Sequence, residues 1–210
     1  MRALGAIQRH LSALYRLDLD HDVSDFLRPL DRRDPDAHRH EVVLVDDTPD
    51  HPTMAVCLSD DVRRSLAGEA VPGLSRFDAW CAAVEGVSHF TLLAWRAERE
   101  RTVSQLELEV KADVDKFALG LVQRALHRAP GEVHRSSGLM RRALFDRAAF
   151  VDGAETARGR RYRDAHRLAA RYAASLERRH LRGGRIARML EELRDFYRSG
   201  ATTRYEMATG

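Results

Sequence analysis

The chain has 210 residues, 44% apolar and 32% charged, an ordinary globular composition with room for one large or two small domains. Its formal net charge of +3 hides a division: Met1–Gly120 carries 15 basic against 22 acidic residues, a net of −7, whereas Leu121–Gly210 carries 20 against 10, a net of +10. No apolar run approaches the roughly 20 residues of a membrane helix, no apolar leader follows Met1, and Cys57 and Cys81 lack metal-ligand spacing, so the expectation is a cytoplasmic protein with reduced cysteines and no membrane partner.

Leu4, Ile7, Leu11 and Leu14 follow a 3-4-3 spacing that predicts an amphipathic helix over about 2–17. Val23, Phe26, Leu27 and Leu30 predict one or two further helical turns, and the charged stretch Asp31 to His40 reads as a loop. Glu41–Asp46, with its unbroken apolar run, predicts a strand buried on both faces. Thr53–Ser59 predicts its antiparallel partner across the turn chemistry of Asp47-Thr48-Pro49-Asp50-His51-Pro52. Ser59 caps a short helix to about Leu66.

Ser75 opens a long helix to about Arg99, with Phe77, Trp80, Ala83, Val84, Val87, Phe90, Thr91, Ala94 and Trp95 in one core-facing arc. Thr102-Val-Ser-Gln105 reads as a capping box for the next helix, to about His127, which is apolar on two sides and so belongs at the centre of a bundle. Pro130-Gly131 marks a boundary close to the change in charge, dividing an acidic part (1–129) from a basic helical part (130–210) within one cooperative unit. Beyond it the pattern predicts helices over about 137–150, capped by Ser137, over 155–181 and over 185–198, the last two parted by Gly183-Gly184. The expected class is mainly α, a helical bundle with one small antiparallel hairpin near residues 41–59.

Three groups of residues could carry chemistry. Residues 158–185 include Arg158, Arg160, Arg161, Arg163, Arg167, Arg171, Arg178, Arg179, Arg182 and Arg185. Within them Arg160, Arg163, Arg167, Arg171 and Arg178 recur at a spacing that places them on roughly one helix face, the geometry of a phosphate-contacting stripe, with Asp164 and Glu177 offsetting part of the charge. The only lysines are Lys111 and Lys116; a GC-rich genome accounts for the arginine bias, and arginine also suits bidentate contacts.

The second group is Glu85 and His89 on one long helix with Glu107 and Asp113 on the next, since carboxylates and histidine between bundle helices build metal sites. The Glu-x-x-His spacing of di-iron bundles is missing, and Glu85, His89, Arg96 and Asp78 plot as a solvated ion-pair stripe opposite Trp80 and Trp95. The third is His38 and His40, with His21, His51 and the acids Asp34, Asp36, Asp46 and Asp47 nearby. No Gly-rich phosphate loop, Gly-x-Ser-x-Gly, His-Glu-x-x-His or Cys-x-x-Cys occurs.

The leading expectation is therefore a non-enzymatic binding or adaptor protein, without a cofactor, whose arginine-rich half docks an acidic macromolecule, either nucleic acid or an acidic protein. The alternatives are a carboxylate- or metal-dependent enzyme and a self-assembling homo-oligomer.

Overall fold

The apolar stripe of the first residues forms α1 (Arg2–Tyr15), which ends where Arg16 adopts a left-handed φ of 53° and Leu17 N bonds back to the Ser12 carbonyl at 2.9 Å. The computed structural model describes residues 2–30, 40–46, 53–125, 130–146, 148, 150–200 and 207. The chain forms two compact units, one of Met1–Ser12 and Leu17–Thr102, the other of Ala13–Arg16 and Val103–Gly210. Among the described residues the fold is mainly helical with one small mixed sheet, the class expected from the sequence.

In the first unit, Asp22 caps a single 3-10 turn (Val23–Phe26) that leads into β1 (Leu27–Pro29). Gln8 fixes this entry: its Nε2 donates to the His21 carbonyl and its Oε1 accepts from Val23 N. The helical turns expected over residues 23–30 thus give way to a strand after one turn. The two other strands, β2 (Glu41–Asp46) and β3 (Thr53–Leu58), pair antiparallel from Glu41–Leu58 to Asp46–Thr53, while β1 pairs parallel with β3.

The sheet order is β1-β3-β2, so β3 is central and β2 is an edge. That corrects the expectation of a doubly buried strand at 41–46: Leu44 and Val45 are 45% and 48% exposed, and burial falls instead on Val56, Cys57 and Leu58. Continuous β-branched sequence marks strand propensity without saying which strand is central. The expected loop and turn, residues 31–39 and 47–52, lie outside the described residues.

Ser59 caps α2 (Asp60–Leu66), its hydroxyl accepting from Val62 N, and Ser75 caps α3 (Arg76–Ala97) through Asp78 N. α3 packs on β2, β3 and α2. Gly86 lies at the closest approach: a Cβ there would come within 3.1 Å of both the Val56 Cγ1 and the Glu41 Cγ. Phe26 and Phe90 add a ring contact at 5.0 Å. α3 ends as α1 does, with Glu100 at a φ of 51° and Arg101 N bonded to the Arg96 carbonyl.

In the second unit α4 (Gln105–Ala125) packs against both α5 (Pro130–Phe145) and α6 (Ala157–Arg179). It is buried at every position from Glu109 to Leu121 except Asp113, in keeping with a helix apolar on two sides. Its N-terminal box is Ser104–Glu107, two residues beyond the expected Thr102–Gln105. Ser104 Oγ accepts from Glu107 N, and Glu107 Oε2 accepts from Ser104 N at 2.9 Å.

The helix expected to start at Ser137 starts at Pro130 instead, and Ser137 is a fully buried mid-helix residue. Proline at a first helical position costs no hydrogen bond, so this proline opens a helix where the sequence reading placed a boundary. Thr156 caps α6, and a 3-10 turn (Leu181–Gly183) with Gly184 at φ 66° leads to α7 (Ile186–Arg198).

Three tyrosines anchor this unit. Tyr172 stacks on Phe196 at 4.3 Å and Tyr15 stacks on Tyr197 at 4.5 Å. Lys111 is buried over the rings of Tyr15 and Tyr197, paired with Asp115, which also accepts from the Tyr15 hydroxyl. Burial, followed by the nearby Asp115 charge, pushes the Tyr15 phenol well above its ordinary value. Arg194 and Arg198 of α7 donate to the Leu14 and Tyr15 carbonyls, tying the open end of α1.

Candidate interaction surface

α6 carries the arginines that the sequence singles out. At about 100° per residue, Arg160, Arg167, Arg171 and Arg178 fall within an arc of roughly 40°, while Arg163 stands about 60° from Arg160. The structure follows this geometry. Arg160, Arg167, Arg171 and Arg178 are exposed, opposite the buried Ala165, Ala169, Tyr172 and Leu176.

Arg163 is half-buried: its Nη1 donates to the Asp152 and Gly159 carbonyls at 3.0 and 2.9 Å, and its guanidinium lies 4.6 Å from the Phe150 ring centre. It braces the segment before α6. Arg160 donates to the Glu155 carbonyl and Arg167 pairs with Asp164. Arg171 and Arg178 make no hydrogen bond or ion pair among the described residues.

Glu177, expected to offset the charge of this face, is 8% exposed and turned to α5, where its Oε1 lies 2.7 Å from the Ser137 hydroxyl and its Oε2 accepts from Arg141 Nε at 2.8 Å. The exposed arc is correspondingly more basic than the sequence suggests. Asp164 is the one acid that pairs with it among the described residues.

Two adjoining hollows flank the arc. One of about 570 Å³ is lined by Phe150, Ala154, Arg160, Arg163, Asp164, His166 and Arg167. The other, of about 560 Å³, lies among Leu106, Asp164, Arg167, Leu168 and Arg171. Asp164 and Arg167 belong to both, so the ion pair forms the ridge between them.

Behind the first hollow His166 is held by two contacts, Nδ1 to Asp113 Oδ2 and Nε2 to the Phe145 carbonyl, each 3.2 Å. Phe145 and Phe150 lie against its ring at 5.1 and 5.3 Å. Burial opposes charge on His166, but the hydrogen bond and the charge of Asp113 outweigh it and raise its pKa. Burial likewise opposes ionisation of Asp113, yet Lys116 at 3.0 Å and His166 together bring its carboxyl down to about 2. A carboxylate held between Lys116 and His166 anchors the α4–α6 contact. The sequence held no signal for this pair, because the residues are 53 positions apart.

The other expected site residues serve their own elements. Glu107 serves the cap of α4, and Asp113 serves the pair with His166. Glu85 and His89 belong to the first unit, and the solvated stripe expected there fails at His89 and Arg96, which are 6% and 4% exposed, while Asp78 is exposed and Glu85 half-buried. His89 Nδ1 stands 3.5 Å from Glu41 Oε1 on β2, and Arg96 lies over the Trp95 ring. A helix buried on both sides places polar side chains inside wherever they find partners, which a one-face projection does not foresee. His40 is exposed just before β2, and its carbonyl accepts from Ser59 N; His38 lies outside the described residues.

No protein-family model, curated protein or solved structure matches this chain. No helix among the described residues is long and apolar enough to cross a membrane.

Proposed function

We propose that this is a non-enzymatic cytoplasmic binding protein, an adaptor or assembly subunit, whose second unit docks an acidic macromolecule through Arg160, Arg167, Arg171 and Arg178. The observation that supports this reading is the exposed arc itself. Four guanidiniums project from one face between Arg160 and Arg178, about 27 Å of helix at ~1.5 Å per residue, and the potential neutraliser Glu177 is turned away. A row of cations of that length suits a polyanion, since each phosphate neutralised releases counterions and adds to affinity. Arg163, bound to backbone carbonyls, positions the start of the row.

Nucleic acid is the partner this reading favours first, because a regular backbone of charge matches a straight row. The test is binding of the full chain to labelled single- and double-stranded DNA and RNA, with polyglutamate as competitor, for the native protein and for Arg167→Gln/Arg171→Gln/Arg178→Gln. Nucleic-acid binding that the triple variant loses supports the reading. Binding to polyglutamate alone moves the partner to an acidic protein, and salt-sensitive oligomers in light scattering identify that protein as a second copy. Equal binding of variant and native protein overturns the role of the arc.

A further inference from the structure

A separate cavity lies on the α5 side of the second unit. It measures about 410 Å³ and is lined by His134, Arg135, Gly138, Arg141, Arg142, Glu177 and Arg182. Five of these come from α5 at positions i, i+1, i+4, i+7 and i+8, which a helix gathers into an arc of roughly 120°. Gly138 sits in the middle of that arc, and its missing side chain makes the recess. A Cβ built there meets Glu177 Oε1 at 3.5 Å, an ordinary contact. Glu177 at the end of α6 and Arg182 in the following 3-10 turn close the other side.

Four guanidiniums therefore surround one carboxylate. Both oxygens of that carboxylate are engaged, one with the Ser137 hydroxyl and one with Arg141 Nε. Arg135, Arg142 and Arg182 are exposed, and they make no ion pair or hydrogen bond among the described residues. Arg141 gives only its Nε to Glu177, which leaves its terminal nitrogens for another acceptor. The lining thus holds a surplus of three positive charges around a recess within the usual size of a ligand site. His134 carries the single ring in its lining, and no large apolar side chain joins it.

We propose that this cavity binds a compact polyanion of two or more linked phosphates, through Arg135, Arg141, Arg142 and Arg182. Guanidinium forks match phosphate oxygens in pairs. Three uncompensated cations spread around the recess call for a ligand with charge at more than one phosphorus. Glu177 acts as a positioning residue, holding Arg141 at the wall. With four guanidiniums dominating the lining and His134 its single ring, the site reads the phosphates and not the nucleoside, so inorganic tripolyphosphate and nucleoside triphosphates are two sources of the same chemistry.

The test is calorimetric titration of the full chain with tripolyphosphate, pyrophosphate, orthophosphate, ATP and CTP. Three variants accompany the native protein: Arg142→Gln/Arg182→Gln, whose side chains bond to nothing that the fold needs; Gly138→Leu, which fills the recess without changing charge; and Arg167→Gln/Arg171→Gln on the separate arginine arc. The expected result is one site per chain, with affinity rising from orthophosphate to tripolyphosphate. Both cavity variants weaken it roughly tenfold or more, and the arc variant leaves it unchanged.

Tripolyphosphate, ATP and CTP of similar affinity confirm that phosphate alone is read. A clear preference for one nucleotide over tripolyphosphate contradicts that selectivity. Several equivalent sites per chain, an affinity indifferent to both cavity variants, or no saturable binding overturns the proposal. Because the arc variant tests macromolecular docking and the cavity variants test this site, failure of one leaves the other standing.

Discussion

Replacing Lys111 with methionine keeps the length of a fully buried side chain and removes its charge. The Lys111 and Asp115 side chains are 1% and 0% exposed, and the ammonium lies 3.9 and 4.4 Å from the ring centres of Tyr15 and Tyr197. In Lys111→Met the Asp115 carboxylate keeps the Tyr15 hydroxyl but loses the Lys111 charge at a fully buried position. Removing one partner of a buried pair costs about 3–5 kcal/mol. With a urea slope of roughly 2 kcal/mol per molar, the midpoint falls by about 2 M. The chain supplies its own reporters: Trp80 and Trp95 lie in the first unit, whereas Tyr15, Tyr162, Tyr172 and Tyr197 lie in the second. Tyrosine near-UV circular dichroism should therefore record the shift. Lys111→Met/Asp115→Leu, which removes both charges but leaves the Tyr15 hydroxyl without its acceptor, should recover part of the loss, since apolar replacement of a whole buried pair is often neutral while a stranded hydroxyl costs about 1–3 kcal/mol. A midpoint for Lys111→Met within about 0.3 M of the native value, roughly 0.6 kcal/mol at that slope, would refute the reasoning.

The Asp113–His166 contact gives the second unit a pH window. The Asp113 carboxyl lies below its ordinary 3.8, at about 2, so its contribution of ~2 kcal/mol is complete above pH 4 and fades as pH falls through 2. His166 is raised above 6.5, so its contribution is complete below that value and fades as pH rises through its folded pKa. Tyrosine-detected unfolding should show the greatest stability between about pH 4 and 6.5, and Asp113→Asn should flatten the profile and lower the His166 pKa measured by NMR; an unchanged His166 titration would remove the pair from the account. In the first unit, Glu100→Gly relieves a left-handed backbone at φ 51° and should raise the tryptophan-detected stability by roughly 1 kcal/mol; a loss of stability would mean that the Glu100 side chain matters more than its backbone.

What the sequence made legible was local. Ser59 and Ser75 cap helices as their spacing suggested, because a cap needs only a hydroxyl and the next turn. The apolar stripes of α1, α4 and α7 place Leu11, Phe117 and Leu193 in the core because a helix has a fixed period. What stayed hidden depends on partners distant in the chain. Nothing local announces that Leu27–Pro29 will pair with Val56–Leu58 and make β3 central. Starting α5 at Ser137 in place of Pro130 removed His134 and Arg135 from the helix and with them the arc around Gly138. Glu177 read as a surface acid because its donors, Ser137 and Arg141, lie about 40 residues away. Of the five stripe arginines, four share one exposed face, and Arg163, about 60° off it by the helical period, bonds to the carbonyls of Asp152 and Gly159.

The decisive measurement is the dependence of nucleic-acid affinity on salt, compared between the native chain and Arg167→Gln/Arg171→Gln/Arg178→Gln. If the exposed arc of α6 neutralises phosphates, the slope of log affinity against log salt should become shallower by about 2–3 in the variant, at roughly 0.7–0.9 per lost contact. Two parallel lines of the same slope would contradict that role, and the three arginines would then belong to a solvated face.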